Sequence, residues 1–184
     1  MANQDHVSIL KQGVDTWNAW RGKEADLRPD LNGEDFSYED LTGINFTGIN
    51  FSGMDFSYDL FDSAILVQAD FSRANLWHTN FCDGDLREAS FNSANLSCAT
   101  LYGSSLQRAD FENADMSEIT LKEANLESAK LTNVDLTMAI FTNTQGITLE
   151  QLSSVRTVHQ PIDLDDKLLA DLNVRFPHLL QKSQ

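Results

Sequence analysis

The chain has 184 residues and a formal charge of −15, from 28 acidic against 13 basic side chains. That balance argues against direct nucleic-acid binding, which draws on Lys and Arg for its phosphate contacts. No apolar run is long enough to span a membrane and residues 1–20 lack a signal peptide's layout, so one elongated domain with end caps, in the cytosol, is expected.

In chain order, residues 4–22 carry Val7, Leu10, Val14 and Trp17 at spacings of three and four, with Trp20 one turn further. The spacing predicts an amphipathic helix, with Asn3 or Asp5 as N-cap and Gly13 weakening it by about 1 kcal/mol relative to Ala. Residues 1–28 are expected to form a helical lid over the open end of the downstream segment, rather than a partner-binding helix. Pro29 then punctuates the chain.

From Leu31 to Phe141 every fifth residue is Leu, Phe or Met, at 23 positions without a slip of register. With that position written i, i−2 is Ala in about half the units and i−1 is usually Asp or Asn, as in Ala69-Asp70-Phe71-Ser72-Arg73 and Ala94-Asn95-Leu96-Ser97-Cys98. In extended chain i−2 and i share a face while i−1 points away, so each unit sends a small and a large apolar side chain inward and has two residues in which to turn. A fixed short period of this kind marks a repeat array that coils around its own i residues.

At a step of twenty, Phe51, Phe71, Phe91 and Phe111 align, as do Leu66, Leu86, Leu106 and Leu126, whereas a step of fifteen mixes Phe with Leu. Stacking like on like favours four units per coil, hence about six coils. These eight residues are the expected centre of the core, each contributing roughly 1.5–3 kcal/mol gross. Residues 31–141 hold 18 acidic against 5 basic side chains, and eight of the acids sit at i−1, where the repeat asks for Asp or Asn. Much of the acidity is therefore a by-product of the fold.

The pattern A(D/N)LXX resembles the pentapeptide-repeat family over residues 31 to about 143. The resemblance implies a right-handed quadrilateral β-helix, an all-β solenoid, and carries no shared catalytic residues. The helical segment ahead of the repeats looks like that of cyanobacterial members. The expected organisation is an N-terminal helical cap over 1–28, the β-helix over 29–145 and a C-terminal helical cap over 146–184.

The first repeats are irregular. Inward i−2 positions hold Glu34, Glu39 and Asp59, where an unpaired carboxylate is costly. A cation site is one reading, and a widened coil that turns these groups to water is the other. With no His or Cys beside them the second is preferred, and no metal or cofactor is expected. Leu60, Ile65 and Ile140 break the polar rule at i−1 and should be exposed apolar spots. Cys82 and Cys98 fall at i+1 and i+2, around a corner, so no disulfide is expected.

The register stops at Gly146. Thr148-Leu149-Glu150-Gln151 fits a capping box that opens a short helix, and after Pro161 a second helix is expected from near Asp163, with Leu164, Leu168, Leu169, Leu172 and Phe176. Their apolar face either covers the last coil or makes a dimer contact, so monomer and dimer stay open.

No phosphate-binding glycine loop, zinc spacing or nucleophile elbow is present, and His6, His78, His159 and His178 are scattered. A non-enzyme is expected, acting as a protein-interaction or scaffold module with an unidentified protein partner. Its candidate surface lies where the i+1 ladder Ser37, Ser57, Trp77, Ser97, Ser117, Thr137 is broken by one Trp, beside Tyr38, Tyr58 and His78 at i+2. Trp77, His78, Tyr58, Tyr38, Leu60 and Ile65 are the contact candidates; the competing reading is that the rings pack on one another or on a terminal helix. The alternative function is DNA mimicry, since some members of the resembled family imitate a short acidic duplex and bind type II topoisomerases. Against it, the column Asp35, Asp55, Asn75, Asn95, Asp115, Asp135 is neutral at its centre, and those relatives are usually dimers without such an N-terminal helical cap.

Overall fold

A computed structural model describes residues 2–34, 36 and 39–181. Between Asp40 and Gln145 parallel bridges pair residues twenty apart, Asp70 with Ser90 and Asn75 with Asn95 for example, so four units make one coil. Among the described residues each bridge is one residue long and no continuous strand forms. The cause is the short unit: two of its five residues are spent on a turn, which leaves one bridging position per side.

Every N–H of a unit has a distinct partner, and the accounting explains the repeat. Around Phe71, the i residue's N–H donates up to Ser90 C=O at 2.7 Å and that of Arg73 to Asn92 C=O at 2.9 Å. Ala74 N–H closes the turn onto Phe71 C=O at 3.0 Å, and Asn75 N–H donates down to Met54 C=O at 2.9 Å. The fifth N–H, on Ser72, finds the side chain of Asp70, whose Oδ1 accepts at 2.9 Å. The same bond recurs from Thr42 to Asp40, Cys82 to Asn80 and Thr137 to Asp135. Asp and Asn are thus favoured at i−1 as acceptors for an otherwise unpartnered amide, although Leu60, Ile65 and Lys130 show that the coil tolerates other residues there, and much of the acidity follows. The turn places i+2 at positive φ, for example +61° at Arg73 and +56° at His78, which with i+1 outside that region makes type II corners.

Inside, Phe51, Phe71, Phe91 and Phe111 form a stacked column with centroids 5.3, 5.4 and 4.9 Å apart. These four and Leu66, Leu86, Leu106 and Leu126 are all 0 % exposed. Asp59 is also fully enclosed, with its Oδ1 accepting Glu39 N–H at 3.2 Å, while Glu39 itself is exposed. Of the three inward carboxylates, Glu39 therefore faces water as expected, Glu34 is half-buried with Lys11 3.7 Å away, and Asp59, against expectation, is folded in. Above it the buried Thr79 hydroxyl donates to Phe56 C=O at 2.8 Å.

The expected single N-terminal helix is two, α1 (Gln4–Leu10) and α2 (Val14–Arg21), because Gly13 takes a φ of +100° that no helix accommodates. Asn3 caps α1, accepting from Asp5 N–H. Side chains of α2 meet the backbone edge of residues 43–47, where a coil beneath would otherwise bond. Trp17 Nε1 donates to Asn45 C=O (2.8 Å), Asn18 bonds both Gly43 C=O (2.9 Å) and Asn45 N–H (2.8 Å), and Arg21 donates to Thr47 C=O (2.9 Å). Trp17 is fully buried with its ring against Phe46 at 5.5 Å. Arg21 is 3 % exposed and its guanidinium is held by carbonyl oxygens; burial pushes its pKa below the ordinary value.

The coil does not end where the five-residue register does. After α3 (Leu149–Ser153), opened by the Thr148–Gln151 capping box, Thr157 bridges Asp135 and Ile162 bridges Ile140. The upward bond that joins Phe71 to Ser90 now joins Leu136 to Thr157 and Met138 to His159, two residues later. Helix α3 thus inserts two residues and the coil resumes, with Val158 buried like an i residue and Gln160 at φ +51° like an i+2 residue. α4 (Asp166–Arg175), capped by Asp165, starts slightly later than expected. A 3₁₀ turn at Pro177–Leu180 brings Leu179 C=O to Val158 N–H at 2.8 Å.

Candidate functional site

The corner that carries Trp77 and His78 sits at the edge between two sides of the coil. One side bears the column running from Asp55 to Asp135, the other the column running from Asp40 through Leu60 and Asn80 to Ile140. Positive φ at Tyr58 (+68°) and His78 (+56°) turns both side chains outward, one coil apart. Their rings stack at 5.2 Å with planes 5° apart. Trp77 stands across them, 5.0 Å from Tyr58 and 4.6 Å from His78, tilted by 71° and 66°. Three rings therefore pack on one another and still face water: Trp77 is 38 % and Tyr58 44 % exposed, and His78 is exposed. The rings pack on one another, as one of the two readings of this ladder expected, and they remain open to solvent.

The surroundings are short and polar. Asn75 Nδ2 donates to Asp55 Oδ1 (3.0 Å) and Asn95 Nδ2 to Asn75 Oδ1 (3.2 Å), an amide ladder beside the rings. Above Trp77, Ser97 and Ser117 bend back onto Asn95 and Asp115, each at 2.7 Å, and leave the indole uncovered. Hydrogen bonds from the Ser57 amide, then from its hydroxyl, hold the Asp55 carboxyl below the ordinary carboxylate range.

Leu60 (41 % exposed) lies on the side leaving the Tyr58 corner, and Ile65 (40 %) lies one corner further, on a different side from the rings. Tyr38, with Asp35 and Ser37, lies outside the described residues. Ile140, expected to be exposed, is half-buried and bridged by Ile162, because the tail continues the coil over it. The exposed Met138 escaped the sequence reading, although it shares the i+2 column of Tyr58 and His78 and was findable by extending that column.

Elsewhere, a crevice of about 140 Å³ lies between α1, the start of α2 and the first coil, lined by Val7, Leu10, Phe36 and Leu41 with Lys11, Glu34 and Glu39 at its polar wall. Among the described residues no three His, Cys, Asp or Glu side chains are grouped to hold a metal ion, and no helix is long and apolar enough to cross a membrane. Cys82 and Cys98 are free and half-buried, and burial raises the Cys82 thiol pKa, with Asp62 and Asp83 adding to it.

Residues 69–108 and 104–144 each match the family model "Pentapeptide repeats (8 copies)". Among solved structures, a pentapeptide repeat protein of the Arabidopsis thaliana thylakoid lumen is similar at 27 % identity and a TM-score of 0.52, over 55 % of this chain and 70 % of its own. HetL, a pentapeptide repeat protein involved in heterocyst differentiation regulation from the cyanobacterium Nostoc sp. strain PCC 7120, is 24 % identical with a TM-score of 0.42, over 71 % of this chain and 66 % of its own. QnrB1, a plasmid-mediated fluoroquinolone resistance protein, is 21 % identical with a TM-score of 0.42, over 65 % of this chain and 62 % of its own. The chain thus spans just under two thirds of the length of the last two. No curated protein sequence matches it.

Proposed function

We propose that this chain is a member of the pentapeptide-repeat family and acts as a non-catalytic interaction or scaffold module that meets a protein partner at the edge bearing Trp77, His78 and Tyr58. In this reading residues 29–145 are a right-handed four-sided β-helix of about six coils, closed by helical caps over 1–28 and 146–184, and the protein works in the cytoplasm. The observation that carries it is a self-packed ring cluster left open to solvent on a ladder of Ser and Asn. An apolar centre with a polar rim is how contact sites are commonly built, and Trp and Tyr often dominate their energetics. Leu60 extends the apolar surface around the edge, whereas Ile65 belongs to a separate spot.

Trp77→Ala tests the reading. It should leave the melting midpoint within about 2 °C of wild type, since the indole leans on the surface rings Tyr58 and His78 and covers no side chain of the core, and should weaken capture of the partner from native extract. Unfolding several degrees early would make Trp77 a packing residue and move the contact site elsewhere. The acidic-duplex alternative is less well supported, because the Asn75–Asn95 amide ladder puts uncharged groups at the middle of its proposed line. A gyrase supercoiling assay separates the two: inhibition insensitive to Trp77→Ala would favour the duplex mimic.

A further inference from the structure

Resting on that reading, we propose that the partner presents a segment in the polyproline II conformation with two arginines three residues apart, one guanidinium lying on the Trp77 ring cluster and the other reaching Glu118. This chain keeps its own cations away from that edge. The five Lys and Arg of the repeats, Arg73, Arg87, Arg108, Lys122 and Lys130, all stand on other columns. There they are largely matched: Arg87 pairs with Asp85 at 2.6 Å, Arg108 with Glu88, Lys122 with Glu123 at 3.9 Å and Lys130 with Asp110 at 3.0 Å.

On the two sides that meet at the ring edge, positions i−2 to i carry no Lys or Arg among the described residues of the repeats, and Arg73 and Lys122 stand at the far corners of those sides. Among the described residues no Lys or Arg pairs with Asp55, Asp115 or Glu118: Asp55 accepts from the Ser57 N–H and Asn75 Nδ2, Asp115 from the Ser117 N–H and hydroxyl, and Asp135 is met by Arg156 of the tail. Charge balance on this edge is left to whatever docks.

The rings choose the cation. Indole is the strongest aromatic host for a positive charge, and guanidinium stacks on such a face while its N–H edges stay free for a carboxylate. Ammonium is more strongly hydrated and gains less. Geometry sets the spacing. His78 and Glu118 share a column two coils apart, roughly 10 Å at about 4.8 Å per coil, and a segment in the polyproline II conformation, with three residues per turn at about 3.1 Å each, puts residues three apart on one face about 9 Å from each other. A flat side with its own backbone amides already bonded leaves the segment to bind through side chains.

The test uses the full-length protein and synthetic peptides of the form Gly-Ser-Arg-Ser-Ser-Arg-Ser-Gly, followed by nuclear magnetic resonance of the Trp77 indole N–H. Saturable shifts of that signal are expected. Affinity should fall about tenfold in Trp77→Ala, where Trp77→Phe keeps most of it, and about as much when citrulline, planar but neutral, replaces the first arginine. Glu118→Gln should cost a few-fold, and moving the two arginines to adjacent positions should cost the same. Equal binding by Trp77→Ala, by the citrulline peptide or by a leucine peptide would overturn the proposal, as would no binding at millimolar peptide. If the peptide fails while Trp77→Ala still loses the native partner, the contact surface stands and only the arginine chemistry falls. If Trp77→Ala keeps the native partner, the contact surface itself is wrong.

Discussion

From Gly33 to Gly53 the left-handed corner position holds glycine wherever it is described, whereas from Tyr58 to Asn143 it holds residues with side chains, Gly103 excepted. The cores differ in step: early units fill the inward pair with Phe beside Ile44, Ile49 or Met54, and later ones with Leu or Phe beside Ala. A side chain at positive φ costs roughly 1 kcal/mol, so the later corners carry strain that the early ones avoid. The later corners are locked between coils above and below. The early ones rest on helical side chains on one face. The lesson concerns surface as much as stability: glycine corners are bare, and the ring cluster begins at Tyr58, the first described corner with something to show.

The sharpest break of this comparison is Phe91→Ala. It removes a ring held between Phe71 and Phe111, and should lower unfolding free energy in denaturant melts by roughly 3–5 kcal/mol. Phe141→Ala, covered by the tail rather than by a full coil, should lose clearly less; equal losses would refute the column picture. Next comes Gly146→Ala. A Cβ there would stand 2.5 Å from the Glu127 nitrogen at a φ of +72°, and the neighbour is backbone, so about 2–4 kcal/mol should be lost. Gly43→Ala, with the same sign of φ and open space around it, should cost only about 1 kcal/mol.

Smaller still is the acceptor at i−1. Asp115→Ala strands the Ser117 amide and should cost about 1 kcal/mol, whereas Asp115→Asn keeps the acceptor and should cost little. The gentlest change is in solvent. Hydrogen bonds from the Thr42 hydroxyl and amide, and from the Ser57 amide and hydroxyl, hold Asp40 and Asp55 below the ordinary 3.8. These carboxyls bind protons more weakly folded than unfolded. Their stabilisation is therefore complete above that value and lost as pH falls through the lower folded one. Melting midpoints should be flat from pH 7 to about 5 and decline below about 4; a midpoint that rises on acidification would mean relief of charge repulsion outweighs these bonds.

Much of this was legible in the sequence, for a physical reason: one unit contains all its own bonding rules. The Phe and Leu columns reveal the twenty-residue coil, Asn3 the first cap and Thr148 the capping box. What escaped depends on partners distant in sequence. By spacing alone Gly13 is a weak point in one helix, yet its +100° φ divides two. The coil's resumption at Val158 was hidden because α3 shifts the register by two, and Thr157-Val158-His159 lacks the Ala-Asp signature. Asp59's enclosure depends on an amide twenty residues earlier. At the site, counting positions puts Trp77 outside, but only the folded chain shows that it leans on Tyr58 and His78.

The twenty-residue bridging has a consequence for how such a chain changes length. Each coil exchanges hydrogen bonds only with its immediate neighbours, and each five-residue unit accounts for one side. Duplicating twenty residues between Trp77 and the tail would push α4 away from the ring edge by one coil, roughly 4.8 Å, and leave it pointing the same way. Duplicating five would swing everything downstream through a quarter turn. Distance and bearing are set by separate dials, and a lineage of such chains can adjust the reach between two contact surfaces in small steps without redesigning either.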